Sequence, residues 1–151
     1  MGKLELGWQE WVSLPDLGLP AVKAKIDTGA RTSALHAVNP VEIAGAGTAR
    51  LRFTVQPVPR RPEVAITCEA PLVGVRDVIS SNGERERRYV VRTRLAIADE
   101  AWPVEITLTD RAQMRTRMLI GRQAIAGRGI IDPERSFLQP RLSWRSYRER
   151  E

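Results

Sequence analysis

The chain of 151 residues contains one cysteine, Cys68, and one histidine, His36. A single thiol excludes an intrachain disulfide and makes a reducing compartment the expected setting. The same scarcity leaves no His-Glu-x-x-His run and no paired Cys or His spacing, so the common zinc patterns are absent and no metal site is expected. A Gly-x-x-x-x-Gly-Lys-Ser/Thr run is also missing; Gly45-Ala46-Gly47 reads as a turn rather than a phosphate cradle, and no cofactor is expected. Ser33 lies three residues before His36, but no Gly-x-Ser-x-Gly elbow supports serine chemistry. Aromatic residues make up only 5%, which argues against stacking-based recognition of single-stranded RNA. No apolar run approaches the ~20 residues of a membrane span, and Met1-Gly2-Lys3-Leu4-Glu5 lacks the apolar core of a signal peptide. The expectation is a cytoplasmic protein with no membrane partner.

Positive charge, by contrast, is plentiful. The net charge is +6. Only Lys3, Lys23 and Lys25 are lysines, so the remaining cations are arginines, which form forked bonds to carboxylates and phosphates. An acidic partner follows: nucleic acid, a ribosome-associated surface, or a peptide rich in Glu or Asp. The plainer explanation is a solvated basic surface on an Arg-rich chain.

Length favours one domain over residues 1–151, with a core of about 5–138 and a charged tail at 141–151 that is either frayed or a terminal helix. The pattern is mostly β. Strands are expected from Trp8 to Leu14, from Pro20 into Asp27, and from Ser33 to Val38 with a stop at Asn39-Pro40. Ala49–Val55 alternates strongly, and Val64–Glu69 follows. The proline-rich stretch Gln56–Pro62 between them reads as an exposed loop. Val75–Ile79 and Arg88–Ala98 frame a hairpin turned at Ser80-Ser81-Asn82-Gly83, since Asn-Gly is a strong tight-turn signal. Trp102–Thr109, Met118–Gly121 and Ile130–Asp132 complete the strands. Arg122–Ala126 is the one short helix, ended near Gly127. Trp8 and Trp11 read as core or interface residues, and Cys68 as buried and inert.

The run Lys25-Ile26-Asp27-Thr28-Gly29-Ala30 carries the most chemistry. It sets a carboxylate at the end of an alternating strand and follows it with a small hydroxyl residue and a glycine. Thr28 can brace the turn through its hydroxyl, and Gly29 allows a sharp bend with its N–H free to bond the carboxylate. An aspartate that merely caps its own turn would look the same locally. The chain contains this run once, so an acid-protease mechanism needs a second copy of the chain.

These residues, taken with the hairpin at Asn82-Gly83 and the later Leu119-Ile120-Gly121-Arg122, resemble a retroviral-type aspartic protease, a retropepsin. More narrowly, Asp27–His36 and Ser80–Arg88 resemble the bacterial retropepsin-like proteins. Those are often labelled ATP-dependent zinc proteases and are often associated with ATP-grasp ligases that add glutamate to proteins. The resemblance covers about residues 5–138. It implies an all-β fold, a closed acid-protease barrel with one short helix near the C-terminus, forming a homodimer across a twofold axis. It implies that Leu119-Ile120-Gly121 packs beside the Asp27 loop. It makes Asp27 the catalytic carboxylate supported by Thr28 and Gly29, and the hairpin around Ser81-Asn82-Gly83 a flap over substrate. Ala30, Asn82, Gly83, Arg85 and Arg88 are then candidate substrate contacts, with Arg88 favoured because a basic residue precedes the apolar run Tyr89-Val90-Val91. Arg122 would brace the dimer or the Asp loop. His36 would be a hydrogen-bonded residue near the active loop.

The expected activity is hydrolysis of peptide bonds in acidic, glutamate-rich segments or glutamate-tailed proteins. The rival readings are a basic module that binds RNA or ribosomal protein without cleaving anything, and a metal-dependent hydrolase at the same cleft.

Overall fold

The computed structural model describes residues 2–44, 47–80 and 82–150. Gly45 and Ala46 of one expected turn, and Ser81 of the hairpin turn, lie outside the described residues. The strands are β1 (Leu4–Gly7), β2 (Gln9–Leu14), β3 (Leu19–Asp27), β4 (Ser33–His36), β5 (Val38–Ile43), β6 (Arg50–Val55), β7 (Ile66–Ile79), β8 (Arg85–Ile97), β9 (Glu100–Thr109), β10 (Met118–Gly121) and β11 (Gly129–Asp132), with one four-residue helix, α1 (Arg122–Ile125).

Strand order explains the closure. The sequence β2-β3-β10-β4-β9-β8 returns on itself where Ser13 of β2 pairs with Ala96 of β8, giving a closed six-stranded β-barrel. Strands β7, β6 and β5 continue outward from β8, while β1 and β11 form a separate parallel pair. Alternation drives this arrangement. Leu51, Phe53 and Val55 of β6 turn inward while Arg52 stays out, and Val12 and Leu14 of β2 do the same. Burying each such side chain contributes about 1.5–3 kcal/mol. Cys68 lies on the inner face of β7, donating its S–H to the Leu17 carbonyl at 3.3 Å, and burial pushes its thiol up to about 12.

Several boundaries differ from the sequence reading. Val64–Glu69 and Val75–Ile79 are not two strands: β7 runs unbroken over 14 residues. A register shift between Leu72 and Gly74 absorbs the irregularity near Pro71. Pro40 does not stop a strand but lies within β5, which is the outermost strand, where a missing N–H costs no ladder bond. The Gln56–Pro62 loop is only partly exposed, because Pro57 and Val58 are buried. Trp8 is 42% exposed and sits between β1 and β2, so it is no core residue. Trp11 is half-buried, with the Lys23 ammonium 5.5 Å from its ring. The tail is anchored rather than frayed. Trp144–Arg150 forms a 3-10 helix, and the buried Tyr147 hydroxyl donates to the Ala21 carbonyl at 2.5 Å.

Glu10 was not anticipated as a structural residue, since its neighbours on the inner face are Val12 and Leu14. It is fully buried, and its carboxylate accepts backbone N–H bonds from Gly7 (2.7 Å), Leu138 (2.9 Å) and Gln139 (3.1 Å). One carboxylate thereby ties the segment after β11 back onto the first two strands. An amide in its place would present hydrogens to N–H groups that need acceptors. Glu10→Gln is therefore expected to lower stability by about 1–3 kcal/mol, measured as a drop in the urea midpoint at unchanged slope. Cys68 gives an independent check of burial. At about pH 8 the native protein should resist iodoacetamide, because almost no thiolate exists, and should become labelled once urea unfolds it.

Candidate active site

Strand β3 delivers Asp27 to its C-terminal end, and the chain then turns at once: the Ala30 N–H bonds the Asp27 carbonyl at 3.1 Å, and the Gly29 N–H bonds Asp27 Oδ1 at 3.0 Å. The second carboxylate oxygen has no hydrogen-bond partner among the described residues, and Asp27 is half-exposed. A Cβ on Gly29 would lie 3.1 Å from Asp27 Oδ1, so glycine keeps the amide close to the carboxylate. The Thr28 side chain is exposed and makes no hydrogen bond among the described residues, where the expected hydroxyl brace is not seen.

The support comes from a distant part of the sequence. Strand β10 lies parallel to β3 with Gly121 opposite Asp27, and antiparallel to β4 on its other side. A Cβ on Gly121 would come within 2.5 Å of the Thr32 carbonyl oxygen and 2.9 Å of the Ala30 carbonyl oxygen. The loop after Asp27 can therefore cross over β10 only where a side chain is lacking. Its carbonyls then meet the start of α1. The Arg122 N–H bonds the Ala30 carbonyl at 2.8 Å, and the Gln123 N–H bonds the Arg31 carbonyl at 3.2 Å. Two of the orphan donors of a helix N-terminus are satisfied in this way. The Arg122 guanidinium adds bonds from Nη1 to the Gly29 carbonyl (3.2 Å) and the Thr28 carbonyl (3.4 Å). Behind the loop, Ser33 Oγ accepts the Gly121 N–H at 3.1 Å, and the Ser33 carbonyl accepts the Thr107 hydroxyl at 2.7 Å.

The chain matches the model of a family described as the retropepsin-like aspartic endopeptidase RimB, over residues 5–142. It belongs to the RimB-like family. Among curated relatives it is 46% identical over 134 residues to a probable alpha-L-glutamate ligase of Parasynechococcus marenigrum, covering 89% of this chain and 29% of that protein. It is 42% identical over 135 residues to one of Shewanella pealeana, covering 89% and 30%. The chain thus spans less than a third of the length of these relatives. A crystal structure of a Legionella pneumophila protein of unknown function superposes with a TM-score of 0.76 at 32% identity, covering 91% of this chain and 98% of that one.

The remaining candidates are spread out. Asn82, Gly83 and Arg85 sit at the exposed tip of the β7–β8 hairpin, where Asn82 Oδ1 accepts the Glu84 N–H at 3.0 Å and the Ser80 hydroxyl. Gly83 takes φ 85°, the left-handed geometry that favours glycine. No hydrogen bond or ion pair joins this tip to the Asp27 loop among the described residues. Arg88, further down β8, is closer to the body: its Nη1 donates to Thr107 Oγ1 at 3.4 Å and its Nη2 pairs with Glu86 at 3.3 Å. His36 is not beside the Asp loop but at the far end of β4, 1% exposed. Its Nδ1 accepts the Arg111 N–H at 2.8 Å, so the ring proton sits on Nε2 and goes to Gln56 Oε1 at 3.1 Å. Asp110, 3.6 Å from Nδ1, instead accepts the Ala112 N–H.

The sequence reading missed Ser33 and Thr107 as supports, and the buried Arg111 and Arg117. Cross-strand register is the signal that would have found them, because Ser33 pairs with Ile106 and Ala34 with Thr107 in a parallel ladder. The close approach at Gly121 supplies a prediction. Gly121→Ala should force the Ala30–Thr32 backbone off β10 and destabilise the protein by about 1–3 kcal/mol or more. Thermal melting measures the loss, and an unchanged melting temperature would mean that the crossing is slack.

Proposed function

We propose that this protein is a homodimeric aspartic peptidase that hydrolyses acidic, glutamate-rich peptide segments, with Asp27 from each of two copies forming the catalytic pair. The observation that carries the reading is the seating of Gly121 and Arg122 against the Asp27 loop. Loop carbonyls are held by the α1 N–H groups and by the Arg122 guanidinium, while one oxygen of Asp27 stays unoccupied. A turn built only to cap a strand has no need of that clamp. In this reading the exposed Thr28 hydroxyl meets its counterpart on a second copy.

In such a dimer the two Asp27 carboxylates cannot easily both be ionised, and the pair shares one proton. The ionised member takes a proton from the bridging water, whose oxygen bonds to the scissile carbonyl carbon. The protonated member polarises the carbonyl oxygen. Collapse of the tetrahedral species breaks the C–N bond, and a carboxyl proton passes to the leaving amine. Acid–base help of this kind is worth roughly 10²–10⁴-fold. Thr28 and Gly29 support the pair, and Ala30 lines the cleft. The hairpin with Asn82, Gly83 and Arg85 closes over the peptide, and Arg88 borders it from β8. The glutamate preference draws on the net charge of +6 and on the names of the relatives, which are glutamate ligases.

Asp27→Asn tests the reading, since it keeps shape while removing the ionisable oxygen. Cleavage of a polyglutamate-tailed protein should fall to background while sedimentation and circular dichroism stay unchanged. Full activity in this variant would take Asp27 out of the mechanism. Salt-sensitive RNA binding without any cleavage by the unaltered protein would favour the binding-module alternative.

A further inference from the structure

Between α1 and strands β8 and β9 lies a cleft of about 430 Å³, whose walls include Thr32, Arg92, Trp102, Glu105, Gln123 and Arg128. That size falls within the ~300–1,000 Å³ of small-ligand sites. The walls are firmly held. The Trp102 indole N–H donates to the Ala124 carbonyl at 2.8 Å, which ties α1 to β9. The Arg128 N–H bonds the Ile125 carbonyl at 2.7 Å, and the Arg128 carbonyl accepts the Leu4 N–H at 2.9 Å. The Arg128 backbone is thereby anchored on both sides, and its guanidinium stands 5.2 Å from the centre of the Trp102 ring, within the reach of a cation–π contact.

The charges of the cleft do not balance. Arg92 and Arg128 are exposed cations, and Glu105 is the one acid among the lining residues. Glu105 is already engaged twice, by Arg92 Nη2 at 3.3 Å and by Arg76 Nη2 at 2.6 Å. Arg128 has no acid partner among the described residues. Arg92 gives Glu105 a single Nη2 bond, so other N–H groups of its fork stay available. The Gln123 side chain is exposed at the same cleft and makes no hydrogen bond among the described residues. The cleft adjoins the Asp27 loop. Gly121 lies opposite Asp27, and Gln123 follows two residues later with its N–H on the Arg31 carbonyl. At ~4.8 Å between strands and at most ~3.8 Å per residue, the Asp27 and Gln123 Cα atoms are no more than about 13 Å apart. Alternation sets Arg92 on the same side of β8 as Arg88, and Glu105 on the same side of β9 as Thr107, whose hydroxyl accepts the Arg88 bond. The cleft thus continues the surface that Arg88 borders.

We propose that this cleft is an outer subsite of the peptide groove, in which Arg92 and Arg128 take the carboxylate of an acidic side chain a few residues from the scissile bond. The proposal rests on the reading of a peptide lying across Asp27. At ~3.3 Å per residue, an extended peptide over Asp27 reaches Gln123 in about four residues. Two cations facing one acid that is already paired leave a surplus positive charge, which a carboxylate neutralises. Each guanidinium offers a fork that matches the two carboxylate oxygens. The Glu105 bond holds Arg92 and the Trp102 ring holds Arg128 before any ligand arrives, so less freedom is lost on binding. The Gln123 amide can add a further donor. A glutamine side chain has nearly the shape of glutamate but one acceptor oxygen and no charge.

Binding can be read without cleavage by placing every variant in the Asp27→Asn background and following fluorescence anisotropy at one fixed salt concentration. The probes are a labelled oligoglutamate peptide and a matched oligoglutamine peptide, both amidated so that no terminal carboxylate competes. Arg92→Gln and Arg128→Gln should each weaken the glutamate peptide by about threefold to tenfold, between the worth of an exposed ion pair and that of a charged hydrogen bond. The glutamine peptide should bind these variants as it binds the parent. Arg128→Lys, which keeps the charge and loses the fork, should fall between parent and Arg128→Gln. Both arginines are exposed, so circular dichroism and melting should match the parent. Arg141→Gln removes the same charge from an exposed place in the tail and should change neither affinity; an equal loss there would reduce the effect to net charge and overturn the subsite. Unchanged glutamate affinity in Arg92→Gln and Arg128→Gln would overturn it too, as would equal weakening of both peptides or failure of the parent to bind the glutamate peptide. Cleavage by the unaltered protein, and its loss in Asp27→Asn, is scored separately. Cleavage lost in that variant, with affinities indifferent to the two arginines, removes the subsite alone. Arginine-dependent affinity without cleavage by the unaltered protein removes the peptidase reading alone.

Discussion

The approach of the Ala30–Thr32 backbone to β10 is the constraint on which the candidate site depends. Strand β10 is inserted between β3 and β4, which belong to one continuous stretch of chain, and the loop joining them must pass over the inserted strand. It passes at Gly121, where carbonyl oxygens come closer than any side chain would permit. From that crossing follow the direction of the Asp27 carboxylate, the satisfaction of the first N–H groups of α1, and the reach of Arg122 to the loop carbonyls. A helix of four residues is too short to be stable by itself. Here it is held because its N-terminal donors and the loop's carbonyls complete each other.

Polar groups inside this protein organise more than they stabilise. Glu10 replaces what would be a simple apolar inner position with three backbone bonds, and so fixes where the segment after β11 returns. Ser33, just after the Asp27 loop, accepts the Gly121 N–H of β10 at its hydroxyl and the Thr107 hydroxyl of β9 at its carbonyl. Such buried networks hold a single arrangement because every alternative leaves a donor or acceptor unmet. Against this, the surface ion pairs, Arg94 with Asp16 and Arg76 and Arg92 with Glu105, are exposed and contribute little to stability. Their effect on the acids is nonetheless directional: the guanidinium bonds hold Asp16 and Glu105 below their ordinary carboxylate range.

The arginine-rich composition therefore divides into two populations. Most cations lie on the solvated surface, where they set charge and solubility. Arg88, Arg111 and Arg117 are largely buried, where charge is expensive. Composition treats the two populations alike, and only burial separates them.

The sequence alone determined a great deal where the signal was local. Alternation identified β3, β6 and β9, Asn82-Gly83 marked the hairpin of β7 and β8, and the resemblance carried by the Asp27–His36 run with Gly121-Arg122 pointed to the closed barrel. Each rests on neighbours within a few residues or on a motif whose order survives in the chain. What the sequence left undecided was non-local. Whether Pro40 and Pro71 break strands depends on which ladder side their missing N–H faces. Whether Glu10 is a surface acid or an internal clamp depends on backbone from residues 138 and 139. The distance of His36 from the Asp loop depends on the parallel register of β4 with β9. Period-two alternation says which side of a strand a residue occupies but not which strand lies beside it. Only the closed barrel fixes that neighbour.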